Sequence, residues 1–496
     1  MYLGIDVGTS EVKVLLLNGQ HHVVGVAGVK LDVSRPHPGH SEQEPADWWA
    51  ATREALFLLR QAHTLAFKAV KAIGLSGQMH GAVLLDINDK VLRPAILWND
   101  TRSTHECDEM MAEMPDASAL AGSLIMPGFT APKLRWLAQH EPQIFAQVAK
   151  VVTPKDYVRL MLTGQYITDM SDASGTAWLD VAKRKWSPEL LALTGMTTNQ
   201  MPQLVEGQVA GGQLLAQVGA DLGLQPGLTV AGGAGDNAAS AVGMGAVAAG
   251  QGFLSLGTSG VLFLVTPGFA PHVGSATHAF CHTMAGQWHQ MSVMLSAASC
   301  LQWATRCLGM KSESELENKA CQLSRAERAL APLFLPYLGG ERTPHNDADL
   351  RAGFHGISHL TEPAAMAYSV IEGVTFGLAD GLNALKKAGS QVHSLSLVGG
   401  GARSAMWAQQ LASALNVEIL THAESTAGGA LGAARLAWLA DGGSVSDVCV
   451  RPLVLKSYQP DPAEQALLAP RYVRFKALYP ALKSVSLPIS FSTNII

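Results

Sequence analysis

The chain has 496 residues, of which 48% are apolar and 15% are charged, with a formal net charge of -5. This length predicts two or more large domains, and the low charge argues against a basic surface that binds nucleic acid. Six cysteines without a CxxC spacing do not indicate a disulfide framework, and no uninterrupted apolar run is long enough to cross a membrane. We therefore expect a reduced, cytoplasmic protein with no nucleic-acid or membrane partner.

The first predicted element is a hairpin near the N-terminus. Apolar residues surround Asp6, a Gly8-Thr9-Ser10 turn follows, and strand character resumes after Lys13. Backbone and hydroxyl donors in such a turn suit a phosphate group, and the carboxylate of Asp6 suits Mg²⁺. The same residue types also form ordinary hairpins, so the turn alone leaves both interpretations open.

A helix and a second strand follow. The Ser41-x-x-Glu44 spacing before an apolar periodic run predicts a capping box, and Pro45 fits the first turn of that helix. A strand over residues 70–75 then runs into a glycine-bracketed loop that contains Met79 and His80. Ligand crevices of α/β domains lie at such strand ends, although both side chains are equally typical of a protein core.

The second organising stretch contains Asp236. Three glycines end a strand at residues 232–235, and the small residues from Ala238 onward predict a closely packed helix. Asp236 then lies at the helix N-terminus, where the helix dipole favours the ionised carboxylate. An ionised carboxylate is able to accept a proton, while the alternative interpretation makes Asp236 only an N-cap.

The second half of the chain repeats the hairpin pattern of the N-terminus. Residues 253–263 again form a strand, a Gly257-Thr258-Ser259 turn and a strand, which predicts a second, similarly built domain across a cleft. A third glycine-rich turn at residues 399–404 offers bare backbone to an adenosine. The spacing of apolar residues predicts a core helix over residues 364–387, and the tail from residue 484 is expected to be loosely held.

These stretches resemble the FGGY carbohydrate kinases, within the sugar kinase, actin and Hsp70 superfamily. The run Gly128-x-Thr130-x-x-Lys133-Leu134-x-Trp136 fits the N-terminal signature of that family. The second signature is partly met, by residues 352–357 and 369–372, and Ala365 stands where a polar residue is usual. The resemblance implies an α/β fold with two actin-like, ribonuclease H-like domains that flank a deep cleft. The expected domains are residues 1–245 for sugar and phosphate and 246–440 for ATP, with a helical extension and tail at 441–496.

Within that family, Gln78-Met79-His80-Gly81 together with Asp236-Asn237 is similar to the branch that phosphorylates D-xylulose at its 5-hydroxyl. The resemblance implies that Asp236 accepts the sugar proton, that Asp6 is the Mg²⁺-linked carboxylate, and that Met79, His80 and Asn237 contact the sugar. The residues that it places around ATP are Gly8, Thr9, Lys13, Gly257, Thr258, Gly400, Gly401 and Ser404.

The resemblance also implies the partners. They are a small-molecule sugar and ATP, with Mg²⁺ as the cofactor, and a homodimer is one possible assembly. A kinase of the same family for another ketose, a polyol or an aldonate is the alternative, followed by a non-catalytic sugar-sensing module that binds ATP. The Glu341-Arg342 block belongs to the resemblance, but the sequence assigns it no role.

Overall fold

The computed structural model describes residues 1–423 and 428–483. Over these residues the chain forms two seven-stranded sheets. The strands of the first sheet are β1 (Tyr2–Val7), β2 (Glu11–Leu17), β3 (Val23–Lys30), β4 (Ala72–Gly77), β5 (Ala210–Gln213), β6 (Thr229–Ala231) and β7 (Ala234–Gly235). The strands of the second sheet are β8 (Gly252–Leu256), β9 (Gly260–Thr266), β10 (His278–Cys281), β11 (Trp288–Met294), β12 (Ser394–Val398), β13 (Glu418–His422) and β14 (Val454–Tyr458).

The two sheets share one arrangement around an antiparallel hairpin. The first has the order β5-β6-β4-β1-β2-β3, with β7 also beside β4, and the second has the order β10-β11-β9-β8-β12-β13-β14. In each sheet the first hairpin strand has a parallel neighbour on its other side, β4 beside β1 and β12 beside β8. The structure therefore confirms the two similarly built α/β units that the repeated hairpin predicts.

Helices cover the sheets and connect their strands. They are α1 (Pro45–Ala62), α2 (Thr64–Lys68), α3 (Thr104–Glu113), α4 (Ala117–Ala121), α5 (Thr130–His140), α6 (Pro142–Phe145), α7 (Pro154–Thr163), α8 (Met170–Ser174), α9 (Pro188–Ala192), α10 (Ala216–Leu222), α11 (Asp236–Gly243), α12 (Ala298–Cys307), α13 (Glu313–Cys321), α14 (Arg325–Leu330), α15 (Pro363–Lys387), α16 (Ala405–Leu415), α17 (Gly428–Ala440), α18 (Val445–Val448) and α19 (Pro462–Lys483). Across the described ranges, no helix has the length and apolar character needed to span a membrane.

Short ladders and 3-10 turns complete the secondary structure. The ladders pair Glu42–Gln43 with Ala95–Ile96, Val83–Leu85 with Lys150–Val152, Ile167–Asp169 with Gln203–Val205, Leu179–Asp180 with Lys185–Trp186, and Leu333–Leu335 with Gly353–His355. The 3-10 turns are Thr198–Gln200, Val273–Ser275 and Gly400–Arg403. These ladders are separate from the two seven-stranded sheets.

The start of α1 differs from the prediction. Pro45 is at the first helical position, as expected, but the capping box is wrong because no side chain caps this helix. The Ser41 backbone amide donates to Asp100 Oδ2 at 2.6 Å, and Glu42 forms an ion pair with Arg102 at 2.6 Å. Tertiary contacts therefore hold this segment extended against a neighbouring loop.

Helix α15 confirms the predicted core helix. It begins at Pro363 and ends at Lys387, and its apolar residues at fourfold spacing are buried against the second sheet. Because burial of apolar surface supplies most of the stability of a helix in a protein, this spacing identified the element from the sequence alone.

Helix α17 packs against strands β1 and β4 of the first sheet and against helix α11. The approach is close: a Cβ added at Gly4 or Gly74 would overlap a backbone carbonyl of α17. This helix lies inside the range predicted for the second domain, while β14, from the predicted extension, completes the edge of the second sheet. The boundaries 1–245, 246–440 and 441–496 stay a prediction, and the predicted loose tail, 484–496, lies outside the described residues.

Candidate active site

Two desolvated carboxylates lie close together where β1 approaches its end and α11 begins. Asp6 belongs to β1, and Asp236 is the first residue of α11. The pKa of Asp236 is raised to about 6, first by burial and then by the negative charge of Asp6. The backbone and side-chain amides of Asn237 donate to Asp236 Oδ1 at 2.7 and 2.9 Å. The structure therefore brings together the two carboxylates that the sequence singled out.

The direction of the pKa of Asp236 differs from the sequence expectation. A helix N-terminus favours the ionised carboxylate, but desolvation and a neighbouring negative charge both favour the protonated form. These two effects outweigh the helix here, because the pKa rises from 3.8 to about 6. A carboxylate with this pKa is still mostly ionised above pH 7 and accepts a proton more readily than an ordinary aspartate.

The surroundings of Asp6 fit a divalent cation. Ser76 Oγ donates to Asp6 Oδ1 at 2.9 Å, and burial raises the pKa of Asp6. The start of α17 closes over the carboxylate, since a Cβ added at Gly429 would lie 2.7 Å from Asp6 Oδ1. Among the described residues, no lysine or arginine lies within ion-pair distance of Asp6 or Asp236, although the charge of Lys13 acts on Asp6 from farther away. Mg²⁺ is typically held by one or two carboxylates together with phosphate oxygens, and this donor set suits it.

The first predicted phosphate turn connects β1 with β2. The Gly8 amide donates to the Glu11 carbonyl at 3.0 Å and closes the turn. Thr9 Oγ1 donates to Gln78 Oε1 at 2.8 Å, whereas the backbone amide of Thr9 has no partner among residues 1–423 and 428–483. Lys13 lies at the rim, 3.6 Å from Glu11 and 39% exposed. The turn can therefore offer a backbone amide to a phosphate, with Lys13 as a more distant positive charge.

The second predicted phosphate turn connects β8 with β9. The Gly257 and Thr258 carbonyls accept hydrogen bonds at 2.9 Å from the amides of Ala298 and Ala297, at the start of α12. The Thr258 amide has no partner in the described part of the chain. Both hairpin turns thus hold their carbonyls inside the fold and leave an amide for a ligand.

The third predicted turn packs against the second. A Cβ added at Gly401 would lie 2.8 Å from the Leu256 side chain, while one added at Gly400 would meet no described atom within 4 Å. Ser404 Oγ accepts from the Trp407 amide at 3.2 Å and caps α16. Gly400 and Gly401 therefore present open backbone beside the end of β8, whereas the Ser404 hydroxyl already has a structural role.

His80 is held rigidly in the loop after β4. Its backbone has a φ of +70°, its Nδ1 lies 2.6 Å from the Gly175 carbonyl, and its ring stacks on Phe129 at 4.6 Å. Thr130 Oγ1 and Lys133 Nζ donate to its carbonyl at 3.1 and 2.8 Å. Burial lowers the pKa of His80 to about 3, so the ring is neutral. Strained backbone held by several contacts is typical of functional sites.

Met79 connects the loop to the start of α11. Its side chain fills the space above Gly235, where an added Cβ would lie 2.8 Å from the thioether sulfur. It also contacts Gly175, the residue whose carbonyl binds His80. The structure therefore places the predicted sugar residue Met79 at the start of α11, where Asp236 and Asn237 lie, and His80 follows Met79 in the same loop.

A buried charge cluster that the sequence patterns did not predict supports this site. Arg159 donates to the carbonyls of Ala231 and Gly232 at 2.9 and 2.5 Å, and Ser171 Oγ accepts from the Gly235 amide at 3.1 Å. Hydrogen bonds from Arg159 and Ser171 therefore fix the backbone of the loop before α11. The cluster consists of Lys155, Asp156, Arg159, Asp169 and Asp172.

The contacts of Lys133 and Phe129 with His80 were likewise not predicted from the sequence. The available signal was charge beside apolar residues. Lys133 lies between Pro132 and Leu134 in α5, Lys155 follows Pro154 at the start of α7, and Arg159 lies between Val158 and Leu160. Charged residues are almost never fully buried unless they are paired or functional. All three lysine and arginine side chains are fully buried.

Known proteins share this architecture. An Escherichia coli protein named xylulose kinase is 49% identical over 485 residues, which cover 97% of this chain and 99% of that protein. A Brucella ovis crystal structure titled a xyloylose kinase is 50% identical with a TM-score of 0.95, covering 98% of this chain and 99% of the other. A Lactobacillus acidophilus gluconate kinase structure is 26% identical with a TM-score of 0.90, covering 98% of both chains.

The family comparison spans both sheets. Residues 1–243 match the N-terminal domain of the FGGY family of carbohydrate kinases, and residues 252–440 match its C-terminal domain. The two hairpins, the paired carboxylates and the extent of these matches agree with one another, and the chain belongs to the FGGY family of carbohydrate kinases.

Proposed function

We propose that the protein transfers the γ-phosphoryl group of ATP to the 5-hydroxyl of D-xylulose, forming D-xylulose 5-phosphate and ADP. The observation that carries this proposal is the pair of desolvated carboxylates: Asp6 lies close enough to Asp236 for its charge to raise the pKa of Asp236. The relatives named as kinases of this sugar, at 49% and 50% identity, support D-xylulose as the substrate.

Asp236 is the proposed general base. With a pKa of about 6, its carboxylate is ionised above pH 7 and accepts the proton of the 5-hydroxyl. The freed oxygen forms a bond to the γ-phosphorus as the bond from that phosphorus to the bridging oxygen breaks, and ADP leaves. Asn237 holds Asp236 Oδ1 through two donors, which fixes the carboxylate for this proton transfer.

The remaining groups position the phosphates. Phosphoryl transfer depends largely on positioning and on neutralising charge, and the free amides of Thr9 and Thr258 lie in the two hairpin turns. Gly8 and Gly257 allow the phosphates to approach these turns closely. Asp6 is the residue that would hold Mg²⁺, which when bound neutralises negative charge on the phosphates.

The adenosine is assigned to the third turn. Gly400 and Gly401 offer backbone without side chains next to β8, and contact with Ser404 involves its backbone because its hydroxyl caps α16. Lys13, at the rim of the first turn, supplies positive charge toward the ATP phosphates.

The proposed location is the cytoplasm, because all six cysteines are free and the cytoplasm keeps thiols reduced. A homodimer stays a prediction, and light scattering of the purified protein tests it.

A kinase of the same family with a different substrate is the second candidate. The similarity to the gluconate kinase structure, at 26% identity and a TM-score of 0.90, makes an aldonate the alternative substrate to test. The two candidates share all phosphate-binding parts and differ only in the sugar that Met79, His80, Asp236 and Asn237 accept.

A coupled assay of ADP release with a panel of sugars tests the proposal. D-xylulose, D-ribulose, xylitol and D-gluconate are compared at equal concentrations with Mg²⁺ and ATP, and NMR of the product locates the phosphate. We expect the highest kcat/KM for D-xylulose, with the phosphate on O5. A tenfold higher value for another sugar would replace the substrate, and an absence of sugar-dependent ADP release would exclude an active kinase.

A further inference from the structure

A short, firmly anchored segment carries Arg342 from the second sheet to the sugar-binding region. We call residues 341–343 the strap. Thr343 Oγ1 donates to the Ala276 carbonyl at 2.8 Å and accepts from the Val293 amide at 3.1 Å. Glu341 Oε1 accepts from the Arg342 backbone amide at 2.7 Å. These bonds fix the backbone on both sides of Arg342.

The guanidinium of Arg342 is unpaired within residues 1–423 and 428–483. It forms no hydrogen bond or ion pair with any residue that the structure describes, although it is largely withdrawn from water, and burial lowers its pKa. The adjacent Glu341 does not form an ion pair with it, and burial raises the pKa of Glu341 to about 8. The charges of Glu341 and Arg342 act on each other at longer range, but Glu341 does not accept from the guanidinium. A desolvated guanidinium whose N–H groups have no acceptor is unfavourable, which indicates that a ligand completes its hydrogen bonds.

Arg342 lies near two histidines, His80 in the loop after β4 and His278 in β10. The strap is anchored to Ala276, two residues before His278 of β10. Phe129 joins the two rings, with its centroid 4.6 Å from His80 and 6.1 Å from His278. The positive charge of Arg342 contributes to the lowered pKa of both histidines. The guanidinium therefore shares one pocket with the residue assigned to sugar binding.

The hydrogen-bonding roles in this pocket follow from its partners. His80 Nδ1 must carry a proton because it faces the Gly175 carbonyl, which leaves Nε2 as an acceptor. The Ser123 hydroxyl donates to the Leu124 carbonyl at 3.0 Å, so it accepts from His278 Nδ1 at 2.7 Å. His278 Nε2 is therefore also an acceptor. A guanidinium can only donate, so the pocket combines two acceptors with one group that is exclusively a donor.

The chemistry of the proposed reaction indicates which sugar atom accepts hydrogen bonds from the Arg342 guanidinium. A 2-ketopentose closes its five-membered ring through O5, so O5 can receive a phosphoryl group only in the open chain. In that form C2 is a ketone, whose oxygen accepts hydrogen bonds and cannot donate them. Resting on the proposed function, we propose that Arg342 donates to the C2 carbonyl oxygen of the open-chain ketose and is a specificity-determining residue. His80 and His278 then accept from sugar hydroxyls.

A cycle of enzyme and substrate changes tests this contact. Arg342→Met and Arg342→Lys are compared with wild type on D-xylulose, on 1-deoxy-D-xylulose, which keeps the ketone, and on the 2-deoxypentitol of the same C3 and C4 configuration. Because hydrogen bonds to charged groups contribute strongly, we expect Arg342→Met to lower kcat/KM about 10- to 150-fold on both ketoses. On the 2-deoxypentitol, the change should be less than about threefold.

Controls separate this contact from a structural role. Arg351→Met is the matched control, since Arg351 is exposed and donates only to nearby carbonyls, and it should leave all three kcat/KM values unchanged. Arg342→Lys keeps the positive charge, and its kcat/KM on the ketoses should lie between the values for wild type and Arg342→Met. If Arg342→Met does not fold, the comparison of Arg342→Lys with wild type tests the proposal. Melting temperatures report the fold of each protein.

Two results would overturn the proposal. The first is an equal loss on the ketoses and the 2-deoxypentitol, since the guanidinium would then serve the phosphates or the fold. The second is an unchanged kcat/KM on D-xylulose. Wild-type protein that releases no ADP with D-xylulose would instead reject the proposed function, before any variant is measured.

Discussion

Asp236→Asn removes the proposed base, and we expect it to lower kcat about 100-fold or more while stabilising the fold above pH 7. The pKa of Asp236 is raised from 3.8 to about 6, which corresponds to about 3 kcal/mol at 1.36 kcal/mol per pKa unit. Because the raised pKa belongs to the folded state, the free energy of unfolding falls as pH rises from about 4 to about 6, and stays lower above that range. Asparagine does not ionise, so the variant gains up to about 3 kcal/mol at pH 8 and little below pH 4.

Urea unfolding at pH 5 and pH 8, with kcat from ADP release, measures both effects. The asparagine oxygen can keep both hydrogen bonds from Asn237, so the start of α11 is preserved. Asp221→Asn, at an exposed position of α10, is the matched control and should change neither kcat nor the pH dependence of stability. A variant that is less stable than wild type at pH 8 would refute the desolvation argument, and wild-type turnover would refute the base assignment.

Three further substitutions test other parts of the site and the fold. Asp6→Asn should raise the MgCl₂ concentration for half-maximal ADP release about tenfold or more, because a carboxylate ligand is lost. Lys133→Met removes a donor to the His80 carbonyl and should raise KM for D-xylulose about tenfold, with KM for ATP unchanged. Gly432→Ala should destabilise the fold by about 1–3 kcal/mol in urea unfolding, since its Cβ overlaps a carbonyl of α11, whereas Gly268→Ala, in open space, should not.

For each of these three substitutions, one outcome would contradict the expectation. An unchanged Mg²⁺ requirement in Asp6→Asn would remove Asp6 from the proposed metal site. A KM for ATP that rises together with the KM for the sugar would show that Lys133 supports the whole cleft. Equal stability of Gly432→Ala and wild type would mean that α11 and α17 can separate without cost.

The parts of the fold that the sequence predicted are those with a local pattern. The hairpin turns contain glycine and hydroxyl residues between apolar strands, and α15 shows regular apolar spacing over its whole length. Such patterns reflect the burial of one face of a single element. The repeated hairpin also predicted two similar sheets, because the same local order of residues produces the same local arrangement.

The parts that the sequence did not predict depend on residues far apart in the chain. The capping box fails because Ser41 is held by Asp100, and the pKa of Asp236 rises partly because Asp6 is near. The environment of Arg342 exists only because the strap is anchored beside β10. Distant contacts of this kind carry no periodic signal, so they emerge only once the two sheets are assembled.

The close packing of α17 on the first sheet has a mechanical consequence. Glycines let this helix touch the backbone of β1, β4 and α11, and its first turn covers Asp6 while Asp236 opens α11. Because no side chain lies between these backbones, no compressible layer is present to absorb a displacement of α17. A shift of this helix is therefore transmitted directly to the segments that carry Asp6 and Asp236, so the spacing of the two carboxylates is tied to the position of α17.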